Sequence, residues 1–462
     1  MRIQSTVCLG LAAGVSGLFA CTLAVSLSAA EPEQTKTAAA PFKTAAAPFK
    51  TAAPTFTKDV APILYKNCTT CHRPGEIAPM SLLTYEDARP YAKAIRDEVS
   101  EGHMPPWHAD APAGTFENER KLSDEEKKTL LAWVAGGAKK GDLKDLPPAP
   151  VYPAGWTIGK PDLVLEMQED FKIPATGTVN YEYFYVPTNF TEAKYIQAVE
   201  VRPGNREVVH HVLVQYLAKP DMTRTPVLRY NQEQQRLPRP VPGERTPKRE
   251  QGVPSRLLAT YAPGTNPQVF KPGTALRVEP GGVLELQMHY TPNGKPTTDR
   301  TKVAFIFSKD PSPREVRPAA FFNTTFTLPA GSPDTSVPGE VEFLQDTIVY
   351  GIFPHTHLRG KAWDYKLLLP DGTTKNILSV PHYDFNWQTY YLFKEPLQVP
   401  KGAKILSTAW YDNSPGNKDN PNSKQDVKWG DQTWEEMQYT GLLFSPVAAP
   451  KPIETKPGGG GQ

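Results

Sequence analysis

Two hydrophobic periods divide the chain. Between residues 58 and 147 the sequence reads as helical. Tyr85 to Glu101 is rich in helix formers, with Pro90 near its first turns. Ser123-Asp124-Glu125-Glu126 reads as a capping box: the serine hydroxyl and the glutamate three residues on each accept a backbone N–H that the helix start leaves free. It predicts a helix to about Ala135, with Leu130, Leu131, Trp133 and Val134 on the apolar face and Gly136-Gly137 ending it. From about residue 159 the period becomes two, the signature of half-buried strands. Strand-like runs are Tyr181–Val186, Val208–Leu217, Val283–Tyr290, Val303–Phe307, Thr347–Phe353, Tyr365–Leu369 and Ile405–Tyr411. Turn signals at Pro203-Gly204-Asn205, Pro280-Gly281-Gly282, Pro292-Asn293-Gly294 and Pro370-Asp371-Gly372 separate them. The pattern predicts a small all-α domain at 58–147 and then two all-β antiparallel sandwich domains, 159–310 and 311–452. Their junction is placed at the Pro311, Pro313, Pro318 cluster.

Composition sharpens this outline. Prolines number 49 in 462 residues, about twice the usual share, which suits short strands joined by turns. Lys plus Arg is 51 against 49 Asp plus Glu, so no basic excess points to nucleic acid. Arg2, the apolar stretch Val7 to Ala30 and the small residues Ser28-Ala29-Ala30 predict an export signal over 1–30. A retained membrane anchor is the competing reading, because the run is long enough to span. With the signal removed no membrane span is expected, and the protein is placed in a bacterial periplasm or outside the cell. Residues 31–57 repeat Thr-Ala-Ala-Ala-Pro-Phe-Lys at 37–43 and 44–50 and read as a flexible tether. Residues 453–462 read as a disordered tail. Of four cysteines, Cys8 and Cys21 fall in the signal, so no long-range disulfide is expected.

The remaining pair forms Cys68-Thr69-Thr70-Cys71-His72, the attachment pattern of c-type haem. Each thiol at this spacing can add to one haem vinyl group, and His72 is then the proximal iron ligand. The bland alternative is a redox dithiol or a zinc half-site. The region resembles a mono-haem cytochrome c domain. Met104, on the Pro105-Pro106 loop beyond the middle helix, lies where that family presents its distal methionine; a thioether raises the potential and suits electron transfer. Met80 is the rival, and His103 or His108 would instead give a bis-His haem.

Nine histidines occur in the chain. Five of the six beyond residue 150 fall in three places: His210-His211, His289 and His355-Thr356-His357. Any one alone reads as an ordinary core or surface histidine. His355 and His357, two apart, share a strand face and can share a metal. His210 and His211 are adjacent, so both reach one metal only at a strand end or a bulge. His382, in Pro381-His382-Tyr383-Asp384-Phe385-Asn386-Trp387, matches no ligand position and reads as structural.

These motifs resemble the copper type II, ascorbate-dependent monooxygenases, the family of peptidylglycine α-hydroxylating monooxygenase and dopamine β-monooxygenase. The resemblance rests on Val208-Val209-His210-His211-Val212, Leu286-Gln287-Met288-His289-Tyr290, His355-Thr356-His357-Leu358-Arg359-Gly360 and Glu436-Met437, in the family's order and spacing over roughly 160–447. It implies two jelly-roll-like sandwiches with one copper each. His210, His211 and His289 would bind the electron-transfer copper, and His355, His357 and Met437 the copper that activates oxygen. Two histidines and a soft methionine favour Cu(I) with an open position. The family's disulfides have no counterpart here. The arginine that grips the substrate carboxylate in the peptide-hydroxylating member is Phe353, and two further substrate contacts are Tyr439 and Gly441. Glycine-extended peptides are therefore not expected as substrates.

The expectation is an exported haem–dicopper monooxygenase: one covalent haem c, two coppers, O2, a small organic substrate and an external electron donor to the haem. The rivals are a haem/copper electron relay without substrate chemistry and a copper-storage module.

Overall fold

The computed structural model describes residues 53–76, 78–152, 155–218, 226–236, 255–262 and 266–447. The signal at 1–30, most of the 31–57 tether and the 453–462 tail lie outside them. The described chain is mostly β-sheet, in sandwich layers, with a few short helices at its start. No described helix is long and apolar enough to cross a membrane.

The helices are α1 (Ala61–Asn67), α2 (Tyr85–Ala88), α3 (Ala92–Glu101) and α4 (Asp124–Ala135). The run expected over Tyr85 to Glu101 is broken by a 3-10 turn, Arg89–Tyr91, because Pro90 has no N–H to give the helix ladder. The capping box is present at α4: Ser123 Oγ accepts from Glu126 N–H at 3.2 Å, and Glu126 Oε2 accepts from Ser123 N–H at 2.8 Å. Glu126 Oε1 also accepts from Lys66 Nζ at 2.8 Å, tying α4 to α1. Phe56, Leu64, Ile95, Leu130 and Trp133 fill the core between them.

One nine-stranded sheet organises the rest. Its neighbours in order are Leu163–Glu166, Lys302–Phe307, Lys194–Arg202, Thr274–Val278, Arg314–Phe322, Tyr439–Pro446, Thr347–His355 and Tyr391–Val399, with Gln268–Val269 beside Lys194–Arg202. A four-stranded sheet (Glu182–Pro187, Val283–Tyr290, Val209–Leu217, Ser255–Tyr261) covers the first half and encloses one core. A five-stranded sheet (Thr374–Val380, Gly360–Leu368, Lys404–Tyr411, Thr335–Phe343, Leu228–Tyr230) covers the second half and encloses another. The described strand pairs are antiparallel except Arg314–Phe322 with Thr274–Val278.

Three features differ from the expectation. The proline-marked junction is a strand: Arg314, Glu315 and Val316 pair with the first sandwich, and Arg317 to Phe322 pair with Tyr439–Pro446 of the second. Pro318 is tolerated because the parallel ladder has ended at Val316. Leu228–Tyr230, inside the first expected domain, pairs with Thr335–Phe343 and packs in the second core. Residues 107–119, expected to be helical, leave the helices and lie on the second sandwich. Phe116 bridges Phe393 there, and Trp107 packs edge-on to Tyr391 at 5.2 Å.

Candidate metal centres and cofactor pocket

The adjacency of His210 and His211 is resolved by a bulge. Along Val209–Leu217, His211 sits opposite His289, but Tyr290 sits opposite Val209, so His210 is the extra, unpaired residue. The bulge turns His210 to the side of His211. One ligand atom from each of His210, His211 and His289 lies within 4.8 Å of the others, the arrangement a single metal ion needs. His210 Nδ1 and His211 Nδ1 are 3.2 Å apart, and the buried His289 Nδ1 has no hydrogen-bond partner. Burial lowers the pKa of all three, to about 3 at His289, with the neighbouring imidazoles adding to it at His211 and His289. Neutral imidazoles are the form that coordinates a cation, so this donor set fits copper. Tyr181 packs edge-on to His211 and His289 at 5.5 and 5.1 Å, and its hydroxyl accepts from Thr433 at 3.1 Å.

His355 closes the strand Thr347–His355, and His357 lies just past its end rather than on it. Their rings are nevertheless neighbours, 5.2 Å between centroids. His355 Nδ1 bonds to Gln388 Oε1 at 2.8 Å and His357 Nδ1 to the Glu435 carbonyl at 3.1 Å. Both partners are acceptors, so the proton sits on Nδ1 and each Nε2 lone pair is left for a metal. Met437 is half-buried between Glu435, which holds His357, and Tyr439, the register partner of His355. The two neutral imidazoles are a donor pair that fits copper, and Met437 is the residue between these two anchors that could add a thioether to them.

Glu436 builds the turn beneath this centre. Its fully buried carboxylate accepts the backbone N–H of Arg359 at 2.7 Å, of His357 at 2.8 Å and of Met437 at 3.3 Å. Burial pushes its pKa up to about 8 against the pull of these donors and of the Arg359 guanidinium. Arg359 is itself buried, donating to Asn413 at 2.9 Å and to the Trp434 carbonyl at 3.0 Å. Phe353, in place of the family's arginine, is buried beside Tyr390, ring centroids 4.9 Å apart. Gly441 allows this approach: a Cβ there would lie 3.0 Å from Tyr390 Oη and 3.1 Å from Phe353 Cβ.

Cys68, Cys71 and His72 border an apolar cavity of about 290 Å³ between α1, α3 and α4, which Met80 and Met104 also line. His103 and His108 are not in that lining; they border a separate, polar cleft instead. Both cysteines are free thiols, and burial pushes the Cys68 thiol up to about 12. The His72 Nδ1 is buried without a hydrogen-bond partner. An apolar slot with two thiols on one wall, an imidazole beside them and thioethers in its lining fits a haem c.

Sequence reasoning missed a further group. Phe385, from the loop before Tyr391–Val399, places its ring 5.9 Å from His210, 6.1 Å from His211, 6.4 Å from His289 and 6.0 Å from His357. The two histidine centres therefore meet across one aromatic ring. The only sequence signal was the aromatic and amide density of Tyr383-Asp384-Phe385-Asn386-Trp387-Gln388, singled out for His382 alone. His382 is exposed on the polar cleft and joins neither centre.

No family model and no curated protein matches the chain. Among solved structures it is similar to the major capsid protein P2 of bacteriophage PM2, with 11% identity over 62% of this chain and 98% of that one, TM-score 0.26. It is also similar to the infectious bursal disease virus VP2 subviral particle, with 10% identity over 63% and 78%, TM-score 0.17. For allantoicase the identity is 8% over 53% and 81%, TM-score 0.15. Scores this low carry no argument about fold or function.

Proposed function

We infer that the chain is a haem–dicopper monooxygenase of the copper type II class, hydroxylating a small organic substrate with O2. The observation that carries the reading is the meeting of the His210/His211/His289 cluster and the His355/His357 pair around Phe385. Copper at these centres would supply one-electron storage and oxygen activation, and haem c in the Cys68/Cys71/His72 pocket an entry point for electrons. The chain's own residues prepare these roles. The bulge at His210 gathers three neutral imidazoles on one side of the sheet. Gln388 and the Glu435 carbonyl hold the Nδ1 protons of His355 and His357, which would leave each Nε2 lone pair for a metal. Glu436 gathers the backbone N–H groups of His357, Arg359 and Met437 on one carboxylate, tying the Met437 backbone to that of His357. Phe353 and Tyr390 fill the place where the peptide-hydroxylating relative grips a carboxylate, which supports an uncharged substrate.

One observation favours the relay reading: His355 and His357 are only 6% and 1% exposed. Measuring metal, haem and oxygen uptake on protein matured with haem-attachment machinery and loaded with copper tests both. Two coppers per haem, with oxygen uptake that rises on adding a small organic substrate, supports the monooxygenase. Uptake indifferent to every organic compound supports the relay. One haem without bound copper removes both.

A further inference from the structure

Four consecutive residues touch all three of the sites described above. The Trp387 side chain lines the haem-sized slot; every other described residue in that lining lies between Leu64 and Leu130. Its neighbour Asn386 presents Oδ1 3.2 Å from His210 Nε2, the ring nitrogen away from the Nδ1 that faces His211. Phe385 lies nearly parallel to the His210 ring, at 22°, and within 6.4 Å of His211, His289 and His357. Gln388 accepts the Nδ1 proton of His355. The segment also holds its own shape. Asp384 accepts the Asn386 N–H at 2.8 Å and the Trp387 N–H at 3.1 Å, and Gln388 Nε2 donates to the Phe385 carbonyl at 3.2 Å.

A loop that only filled a gap would have no reason to send an indole into another module's cofactor slot. Nor would it need to hydrogen-bond one imidazole of each metal centre. We propose that Phe385–Gln388 is an electron strap joining the haem pocket to the His210/His211/His289 centre, with Trp387 as its haem end and Asn386 as its copper end. This rests on the proposed haem–copper function. In the step it serves, one electron leaves ferrous haem and enters a cupric ion. Iron becomes ferric and copper cuprous; no bond is made or broken and no proton moves. The haem is re-reduced by the external one-electron donor. Trp387 and Asn386 act as positioning residues that shorten the path: from the indole, through one peptide unit and the Asn386 amide, across a hydrogen bond, into the imidazole. Phe385, in contact with both centres, continues that path towards His357.

The test reads electron transfer directly, without substrate or oxygen. Oxidised, copper-loaded protein receives one electron at the haem from a flash-generated reductant under argon. Haem absorbance follows the return to ferric iron, and freeze-quench EPR follows the loss of the Cu(II) signal. In wild type the two changes coincide, at a rate independent of protein concentration. Trp387→Leu slows them by about tenfold or more, on the scale by which partners outside the ligand sphere tune a metal site. Its haem content and haem potential are measured alongside, so that a rate change due to altered driving force is separated from one due to a longer path, and Trp387→Phe restores much of the rate. Asn386→Leu, at an exposed position, slows the rate likewise, and the double variant costs less than the sum of the two, as members of one path do. Asn386→Leu keeps the test open should Trp387→Leu not fold. Wild-type rates in both leucine variants, with haem and copper in place, overturn the strap and leave the proposed function standing. A wild type without haem or without a Cu(II) signal overturns both.

Discussion

His210 Nδ1 lies 3.2 Å from His211 Nδ1, although neighbouring residues on a regular strand face opposite ways. The one-residue bulge opposite Tyr290 makes this contact, and the gathering of His210, His211 and His289 depends on it. His210→Ala and His289→Ala are each expected to lower copper affinity at this centre by about 100-fold or more, beyond the usual cost of losing a partner outside the ligand sphere. Copper titration followed by EPR checks this. Haem at Cys68, Cys71 and His72 and copper at His355 and His357 are expected to remain, because the first three border the cavity between α1, α3 and α4 and the last two have their own partners.

Glu436 satisfies three buried backbone donors at once. Glu436→Ala leaves them without an acceptor at about 1–3 kcal/mol each. The variant is expected to melt several degrees lower and to lose the copper at His355, His357 and Met437 before the one at His210. Thermal melts with copper counted per chain check both parts.

Met80 and Met104 both line the cavity beside His72, so two thioethers are in contention for a haem iron held there; His103 and His108 border only the neighbouring polar cleft, which Met104 also lines. Met104→Ala is expected to abolish the methionine-to-iron charge-transfer band, and Met80→Ala to leave it in place. Loss of the band in Met80→Ala alone would reassign the ligand.

The α4 cap carries a pH signature. Burial pushes Glu126 up, but the Lys66 ammonium, the Ser123 N–H and Asn67 outweigh it and hold the carboxyl at about 2. A depressed carboxylate adds stability above its unfolded pKa, near 4.3, and that stability fades as pH falls towards 2. Glu126→Gln keeps an amide oxygen for the Ser123 N–H but loses the Lys66 ion pair, so it is expected to cost about 0.5–1 kcal/mol at pH 7 and much less near pH 2.5. Melting curves of both proteins at the two pH values check the sign.

Alternation made some of this fold legible. Val283–Tyr290 carries its polar and apolar residues in the expected places and ends where the sequence indicates. Tyr439–Pro446 was invisible to the same reasoning because both of its faces are buried: Leu442 and Phe444 enter one core and Leu443 the other. The proline cluster near 311–318 read as a linker, since nothing local reveals that the ladder on one side stops at Val316. At the candidate centres, the clustering of His210, His211 and His289 and the pairing of His355 with His357 were legible because ligand chemistry restricts residue type and spacing. Glu436, Gln388 and Trp387 do their work through long-range contacts, to which no local pattern is tied.

Because Arg314–Phe322 carries the hydrogen-bonded ladder from one sandwich into the other, the halves cannot swing apart like domains on a linker. Parting the two histidine centres would mean shearing a continuous sheet. The spacing of the two histidine clusters across Phe385 is thus fixed when the chain folds. Any electron exchanged between metals held there would cross a distance set by the fold and not by the binding of a ligand.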